Sequence, residues 1–234
     1  MHLDRFLCKQ ANYSRKTVLQ LLSQQKIKVD GVIATSRNTP VSKFSLIEIA
    51  GETVKTSSAA QYFMLNKPAG ILSATSDDEH KTALELLTHI DTTDLHIAGR
   101  LDRATTGLLI ITNDGHWSRK LTELKTVNQL QIPKVYLVET AYAISPETPL
   151  RFAEGIYFKY EDTTTSPAQI EIISEKLSRL TIYEGRYHQV KRMFAAVGNR
   201  VVNLHREKVG KITLDSKLQS GEFRSLTEEE VDWV

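Results

Sequence analysis

"GRLDRATTGLLIITNDG", residues 99–115, decides how the rest of the chain is read. From Gly107 the run LLIIT is apolar without alternation, the pattern of a buried strand, and Asn113, Asp114 and Gly115 supply a turn before a helix expected from about Trp117 to Leu124. Just ahead of the strand, Asp102 stands between Arg100 and Arg103, with Gly99 and Gly107 bracketing the segment. A carboxylate on a short loop carried by a rigid strand suits chemistry, although an arginine-leucine-aspartate triplet also reads as an ordinary turn cap.

Other elements follow in both directions. YFMLNKPAG (62–70) is a strand ended by Pro68 and Gly70, and PKVYLVET (133–140) is another, on which Lys134 and Tyr136 share a face. Residues 149–183 read as a helix capped at Gly155, then strands near 156–158, 169–174 and 179–183. In GRYHQVKRMFAAVG, Val190, Met193, Phe194 and Val197 recur at i, i+3, i+4 and i+7, so a helix is expected with Gly198 at its end. Thr227 and Glu230 have capping-box spacing for a last helix. Strands and helices intermix without a regular strand-helix-strand rhythm, so an α+β fold with a mixed or antiparallel sheet is expected.

The N-terminal quarter differs. Leu3, Phe6 and Leu7 mark one helix, and Ser14 caps a second through Val18, Leu21 and Leu22. Ile27 and Val29 then alternate with lysines, Asp30-Gly31 signals a hairpin answered by Val32-Ile33, and Phe44 to Ile49 adds a strand. TVKTSSAA (53–60) has linker composition, which puts a domain boundary near Ser57 and divides the chain into residues 1–57 and 58–234. Residues 1–55 hold nine Lys or Arg against four Asp or Glu, about +5, while the whole chain carries +2. A basic module joined to a nearly neutral one suggests an anionic partner.

Several chemistries lack their signatures. There is no Gly-rich dinucleotide or P-loop motif, no GxSxG elbow, and the histidines and the single Cys8 never reach zinc-site spacing. One cysteine excludes an internal disulfide framework. No apolar stretch approaches the roughly 20 residues of a membrane span, and MHLDRFLCKQ, with Asp4, is not expected to be a signal peptide, so a cytoplasmic location without membrane association is expected. Mechanisms using Asp, Tyr, Lys or Arg, without cofactor or metal, remain. From Arg186 to Lys211 seven Lys or Arg face one acid, Glu207, with Tyr187, His188 and His205 interleaved over the helix and an expected loop after it. That composition suits phosphates and bases, and spacing alone reaches an RNA or DNA binder with an aspartate of interest.

GRLDRATTGLLIITNDG, KVYLVE, EGRYHQVKRMFAAVG and SGEFRSLTEEE, in this order over essentially the whole chain, resemble the RsuA-type pseudouridine synthases of bacteria. The first 50 or so residues resemble the αL RNA-binding module that precedes the catalytic domain in that family. The resemblance implies an α+β chain in which this module precedes a pseudouridine synthase domain, whose mixed, largely antiparallel sheet is flanked by helices.

It also implies the site. Asp102 matches the essential aspartate, which attacks ribose C1′ or, in a competing proposal, works through a glycal. Tyr136 matches the tyrosine that stacks on the target base, and Lys191 the basic residue that orients the aspartate. Arg100 matches an arginine that fills the space of a flipped nucleotide, and Leu204 an apolar contact to uracil. Lys134, His188 and Arg192 are further candidate RNA contacts, as are Arg15 and Lys16 in the N-terminal module. The stretches 61–68 and 201–207 lean toward members acting on 16S ribosomal RNA, free or in a small-subunit assembly intermediate, and a monomer is expected. A 23S ribosomal RNA target and a non-catalytic assembly factor are the alternatives. Two positions depart from the pattern: Ala104 replaces a frequent aspartate, and Gln25 stands where the module usually has glycine.

Overall fold

The computed structural model describes residues 1–123 and 132–234. Contacts divide the chain into two compact units, Met1–Ala60 and Gln61–Val234.

In the first unit, α1 (Leu3–Lys9) and α2 (Arg15–Ser23) pack on a sheet of β1 (Ile27–Val29), β2 (Val32–Ile33), β3 (Ile47–Ile49) and β4 (Glu52–Lys55), ordered β2-β1-β3-β4. Leu3, Leu7, Val18, Ile27 and Ile47 fill its core. The Ser14 side chain accepts a hydrogen bond from the Thr17 amide, so α2 starts where the cap is expected. The hairpin turn at Asp30-Gly31 has positive φ at both residues, 53° and 78°, as its type demands. Gln25 takes the conformation that glycine would relieve: φ is +53°, its amide donates to the Leu22 carbonyl and the Lys26 amide to the Leu21 carbonyl, a complete Schellman end to α2. Two expectations shift. Thr53–Lys55 belongs to β4 rather than a linker, because it pairs with β3, and β3 itself is only Ile47–Ile49.

The second unit is built on a nine-stranded sheet. Its strands are β5 (Tyr62–Lys67), β6 (His96–Ala98), β7 (Thr106–Thr112), β8 (Lys134–Thr140), β11 (Gln169–Ser174), β12 (Leu177–Ile182), β13 (Val201–Val209), β14 (Ile212–Thr213) and β15 (Phe223–Ser225). Between them come α3 (Gly115–Thr122), α4 (Thr148–Glu154), the separate hairpin of β9 (Tyr157–Phe158) and β10 (Thr163–Thr164), α5 (Gln189–Ala196) and α6 (Glu228–Asp232). The main order is β11-β12-β8-β13-β7-β5-β15, with β6 on β7 and β14 on β13. Every described pairing in it is antiparallel except β13 with β7, so the sheet is mixed and largely antiparallel.

The unbroken LLIIT run has a direct cause. Leu109 and Ile111 pack with Phe63, Leu65 and Val138 in one cluster, while Leu108 and Ile110 pack with Met64, Trp117 and Ile212 in another. A strand covered on both faces does not need alternation. Asp114 caps α3 by accepting from the amides of His116 and Trp117. That helix ends at Thr122, and the expected final residue Leu124 lies outside the described residues. The segment 201–209, expected as a loop, is the strand β13: Val201, Val202, Leu204 and Val209 supply β-forming residues, and the strand is inserted between β8 and β7. The capping box of Thr227 and Glu230 starts α6. Among the described residues, no helix is long and apolar enough to cross a membrane.

Candidate active site

Backbone groups of Gly99, Arg100, Leu101 and Arg103, in the Asp102 loop, are tied to other parts of the second unit. The fully buried Lys67, at the end of β5, donates from Nζ to the carbonyls of Pro68 (2.7 Å) and Arg103 (3.2 Å). The Gly70 amide donates to the same Arg103 carbonyl at 2.8 Å, and the Arg103 side chain returns a hydrogen bond to Gly70 O at 3.1 Å. Ser73 Oγ donates to the Leu101 carbonyl and accepts from its amide. From β13, buried Arg206 spreads its guanidinium over three carbonyls: Leu108 (2.8 Å), Gly99 (2.9 Å) and Arg100 (3.4 Å). Buried backbone groups must find partners, and here they also fix the loop. Gly107 permits the approach: with φ +101°, it brings the backbone so close that a Cβ would lie 2.4 Å from Arg206 O.

So held, Asp102 meets the start of α5. Lys191 Nζ lies 3.2 Å from Oδ2, and His188 Nε2 lies 3.5 Å from Oδ1. All three side chains are partly buried. Arg103, Asp102's neighbour in sequence, turns away toward Gly70. The turn into α5 is tightly wired. Glu184, buried, accepts from Gln189 Nε2 (2.9 Å), Arg186 Nε (3.0 Å) and the Ser166 amide (3.0 Å), and His188 takes a left-handed φ of +49°.

Asp102, Lys191 and His188 line a cavity of about 450 Å³ together with Arg100, Lys134, Tyr136 and Leu204. That volume is in the range of small-ligand sites. Tyr136 and Leu204 are buried apolar walls, and Arg100 is exposed at the edge. Lys134 is different in character: burial, reinforced by the Arg206 charge and opposed by Glu184, lowers its pKa to about 8. Lys67 is lowered to about 8 as well, by burial against the opposing pull of Asp102. Among the described residues, no three His, Cys, Asp or Glu side chains gather as a metal site requires.

Of the expected RNA contacts, Arg192 does not reach this cavity. Its guanidinium lies over the Phe158 ring, 3.6 Å from the centroid, and is ion-paired with Glu161. The basic run from 186 to 211 is thus not one RNA-facing surface: Arg186 is also bound to Glu161 and Glu184, and Arg206 is internal. Arg15 and Lys16 are exposed on the first turn of α2, in the other unit. Lys67, Arg206 and Glu184 escaped the sequence reading. The one signal was that each of them lies inside a stretch that was singled out, at a position where a charged residue reads as surface.

Comparison with known proteins adds an independent line. The profile of the family described as "RNA pseudouridylate synthase" matches residues 61–196. The chain is 46% identical over 231 residues to the protein named "Ribosomal small subunit pseudouridine synthase A" of Vibrio cholerae, covering 99% of this chain and 98% of the relative. It is 43% identical over 233 residues to the protein of the same name from Escherichia coli, with 99% and 98% covered. A solved structure described as "Crystal structure of pseudouridylate synthase" superposes with a TM-score of 0.71 at 39% identity, over 99% of this chain and 98% of that one.

Proposed function

The chain belongs to the RNA pseudouridylate synthase family, a family of isomerases, and we propose that it converts one uridine of 16S ribosomal RNA, uridine 516, to pseudouridine. The observation that carries the choice of RNA is the full-length similarity to relatives named for the ribosomal small subunit. The pairing of Asp102 with Lys191 beside Tyr136 and Leu204 supports the assignment of the chemistry.

The target nucleotide leaves the RNA stack and enters the cavity, at a cost of about a few kcal/mol that contacts inside the pocket offset. Asp102 attacks C1′ as the bond from C1′ to N1 breaks, or assists departure of uracil through a glycal. Freed uracil turns so that C5 faces C1′; the new C5–C1′ bond forms as the bond from C1′ to Asp102 breaks and returns the carboxylate, or, on the glycal route, as C2′ regains the proton it had lost, and the proton on C5 then passes to a base while N1 gains one. Substrate and product have the same composition, so the balance needs no cofactor or metal. Tyr136 packs on the base and is placed to assist the late proton removal, Leu204 borders it, and Lys191 orients Asp102. Arg100 contacts the RNA at the edge, and Lys134 and His188 contact it within the cavity. The basic N-terminal module, with Arg15 and Lys16, acts as an αL-type RNA-binding domain whose phosphate contacts weaken with salt. With this substrate, as free RNA or an assembly intermediate, the protein works as a cytoplasmic monomer.

Pseudouridine-specific chemical mapping of both ribosomal RNAs, in cells lacking the gene, tests this reading. One signal in 16S RNA should vanish, and return with the parent gene but not with Asp102→Asn. A signal lost from 23S RNA instead selects a large-subunit target. No signal lost, with growth rescued by Asp102→Asn, selects an assembly factor.

A further inference from the structure

Tyr187 is 73% exposed, a large aromatic ring that contributes little to any core. One of its faces is nevertheless occupied. It stacks on the His188 imidazole, with centroids 3.9 Å apart and planes 19° from parallel. His188 in turn lines the cavity and has Nε2 3.5 Å from Asp102. The two rings form a short column that begins at the carboxylate and ends in solvent.

The column is built rather than merely left outside. The Tyr187 carbonyl accepts from Arg192 Nη1 at 3.2 Å, and Arg192 is pinned between the Phe158 ring and Glu161. On the other side, Gln189 Oε1 accepts from the Arg186 amide at 3.0 Å, and Gln189 is held by buried Glu184. His188 adopts its left-handed conformation between these anchors, and a non-glycine residue there is uncommon without a reason. Tyr187 does not itself line the cavity, but both of its chain neighbours, Arg186 and His188, do; the other highly exposed tyrosines, Tyr142, Tyr157 and Tyr160, neither line it nor adjoin a lining residue in sequence.

We propose that the open face of Tyr187 is a stacking platform for the nucleobase next to the target uridine in the RNA, an assignment that rests on the RNA-modifying reading given above. When the target leaves the stack, its neighbour loses a stacking partner. An exposed aromatic face stacked on the cavity-lining His188 replaces that partner, and aromatic stacking accepts any base. Tyr187 thereby helps to hold the RNA open at the target and fixes the register in which it enters. It is a substrate-positioning residue, distinct from the residues that touch the reacting atoms.

The test uses the full chain and synthetic 16S ribosomal RNA fragments carrying the target uridine. A series places one abasic nucleotide, or one 2-aminopurine, at each position flanking the target. Tyr187→Ala is expected to raise KM on intact RNA by roughly five- to a hundredfold, and Tyr187→Phe to restore it. At one abasic position the parent should show the same rise and Tyr187→Ala should add nothing to it. At that position 2-aminopurine fluorescence should be quenched on binding to the parent and much less with Tyr187→Ala. An unchanged KM, an equal penalty on every RNA of the series, or a loss confined to kcat overturns the proposal, the last because it marks a merely structural support for His188. If the parent converts none of the fragments, the functional reading fails, while the position-dependent quench still decides the stacking.

Discussion

Nζ of Lys191 stands 3.2 Å from Oδ2 of Asp102, which ties the first turn of α5 to the loop that precedes β7. The pair is partly exposed, so its contribution to stability is small. Its consequence is geometric: it holds the carboxylate in one orientation, which the proposed role of Asp102 as nucleophile requires. Asp102→Asn should lower turnover by at least about a thousandfold, the scale of losing a nucleophile, while RNA binding and melting temperature stay near the parent values. Lys191→Ala should cost about a hundredfold through misplacement, and Lys191→Arg less. Single-turnover assays with denaturation curves separate these outcomes, and near-normal turnover by Asp102→Asn contradicts the role of that residue.

Lys134 gives a pH signature. Its ordinary pKa of 10.5 falls to about 8 on folding, since burial disfavours the ammonium. Between those values the unfolded chain holds a proton that the folded chain has released, so stability rises with pH across that window. Below pH 8 both states are protonated and the burial penalty is present in full. Lys67 acts in the same direction. Lys134→Met should therefore flatten, but not abolish, the rise in stability between pH 8 and 10.5, read from urea unfolding. Identical slopes for parent and variant would count against the buried ammonium.

Gly107 is the position at which the sheet tolerates least. A methyl group there meets the Arg206 backbone at 2.4 Å, and φ is +101°. Gly107→Ala should destabilise the catalytic unit by roughly 3 kcal/mol or more, a drop of about 6 to 12 °C in Tm, by forcing β7 away from β13. Calorimetry checks it.

Gln25 offers the opposite sign. It holds φ at +53° to end α2, a conformation that costs an ordinary residue about 1–2 kcal/mol. Gln25→Gly removes that strain but loosens the unfolded chain, leaving a net gain of about 0.5–1 kcal/mol. Amide exchange at the end of α2 in the full chain should slow accordingly, whereas faster exchange would refute the strain.

What the sequence revealed depended on whether the determinant was local. The Ser14 cap, the Asp30-Gly31 hairpin and the Thr227-Glu230 box each satisfy their hydrogen bonds within a few residues, and each is found where its residue pattern puts it. The strand β13 hid because its polar side chains are answered from far away: Arg206 by carbonyls of the Asp102 loop and Glu207 by Arg179. Its composition therefore imitates a surface loop. Lys67 was concealed in the same way, since a lysine before a proline reads as a strand end in solvent although it is fully buried. Within the site, Lys134 and Tyr136 were linked by strand alternation, but the union of Asp102 with Lys191 came from resemblance, as no local spacing spans loop and helix.

The parallel contact of β13 with β7 also sets an order of events during synthesis. Strands β5, β6 and β7 lie close together in the chain and can pair as soon as they leave the ribosome, but the carbonyls of Gly99, Arg100 and Leu108 wait for Arg206, about a hundred residues later. Contacts of such separation form late. A nascent chain thus holds the Asp102 loop first by Lys67, Gly70 and Ser73, which are made before it, and gains its last ties, to β13, only after about a hundred further residues have been added.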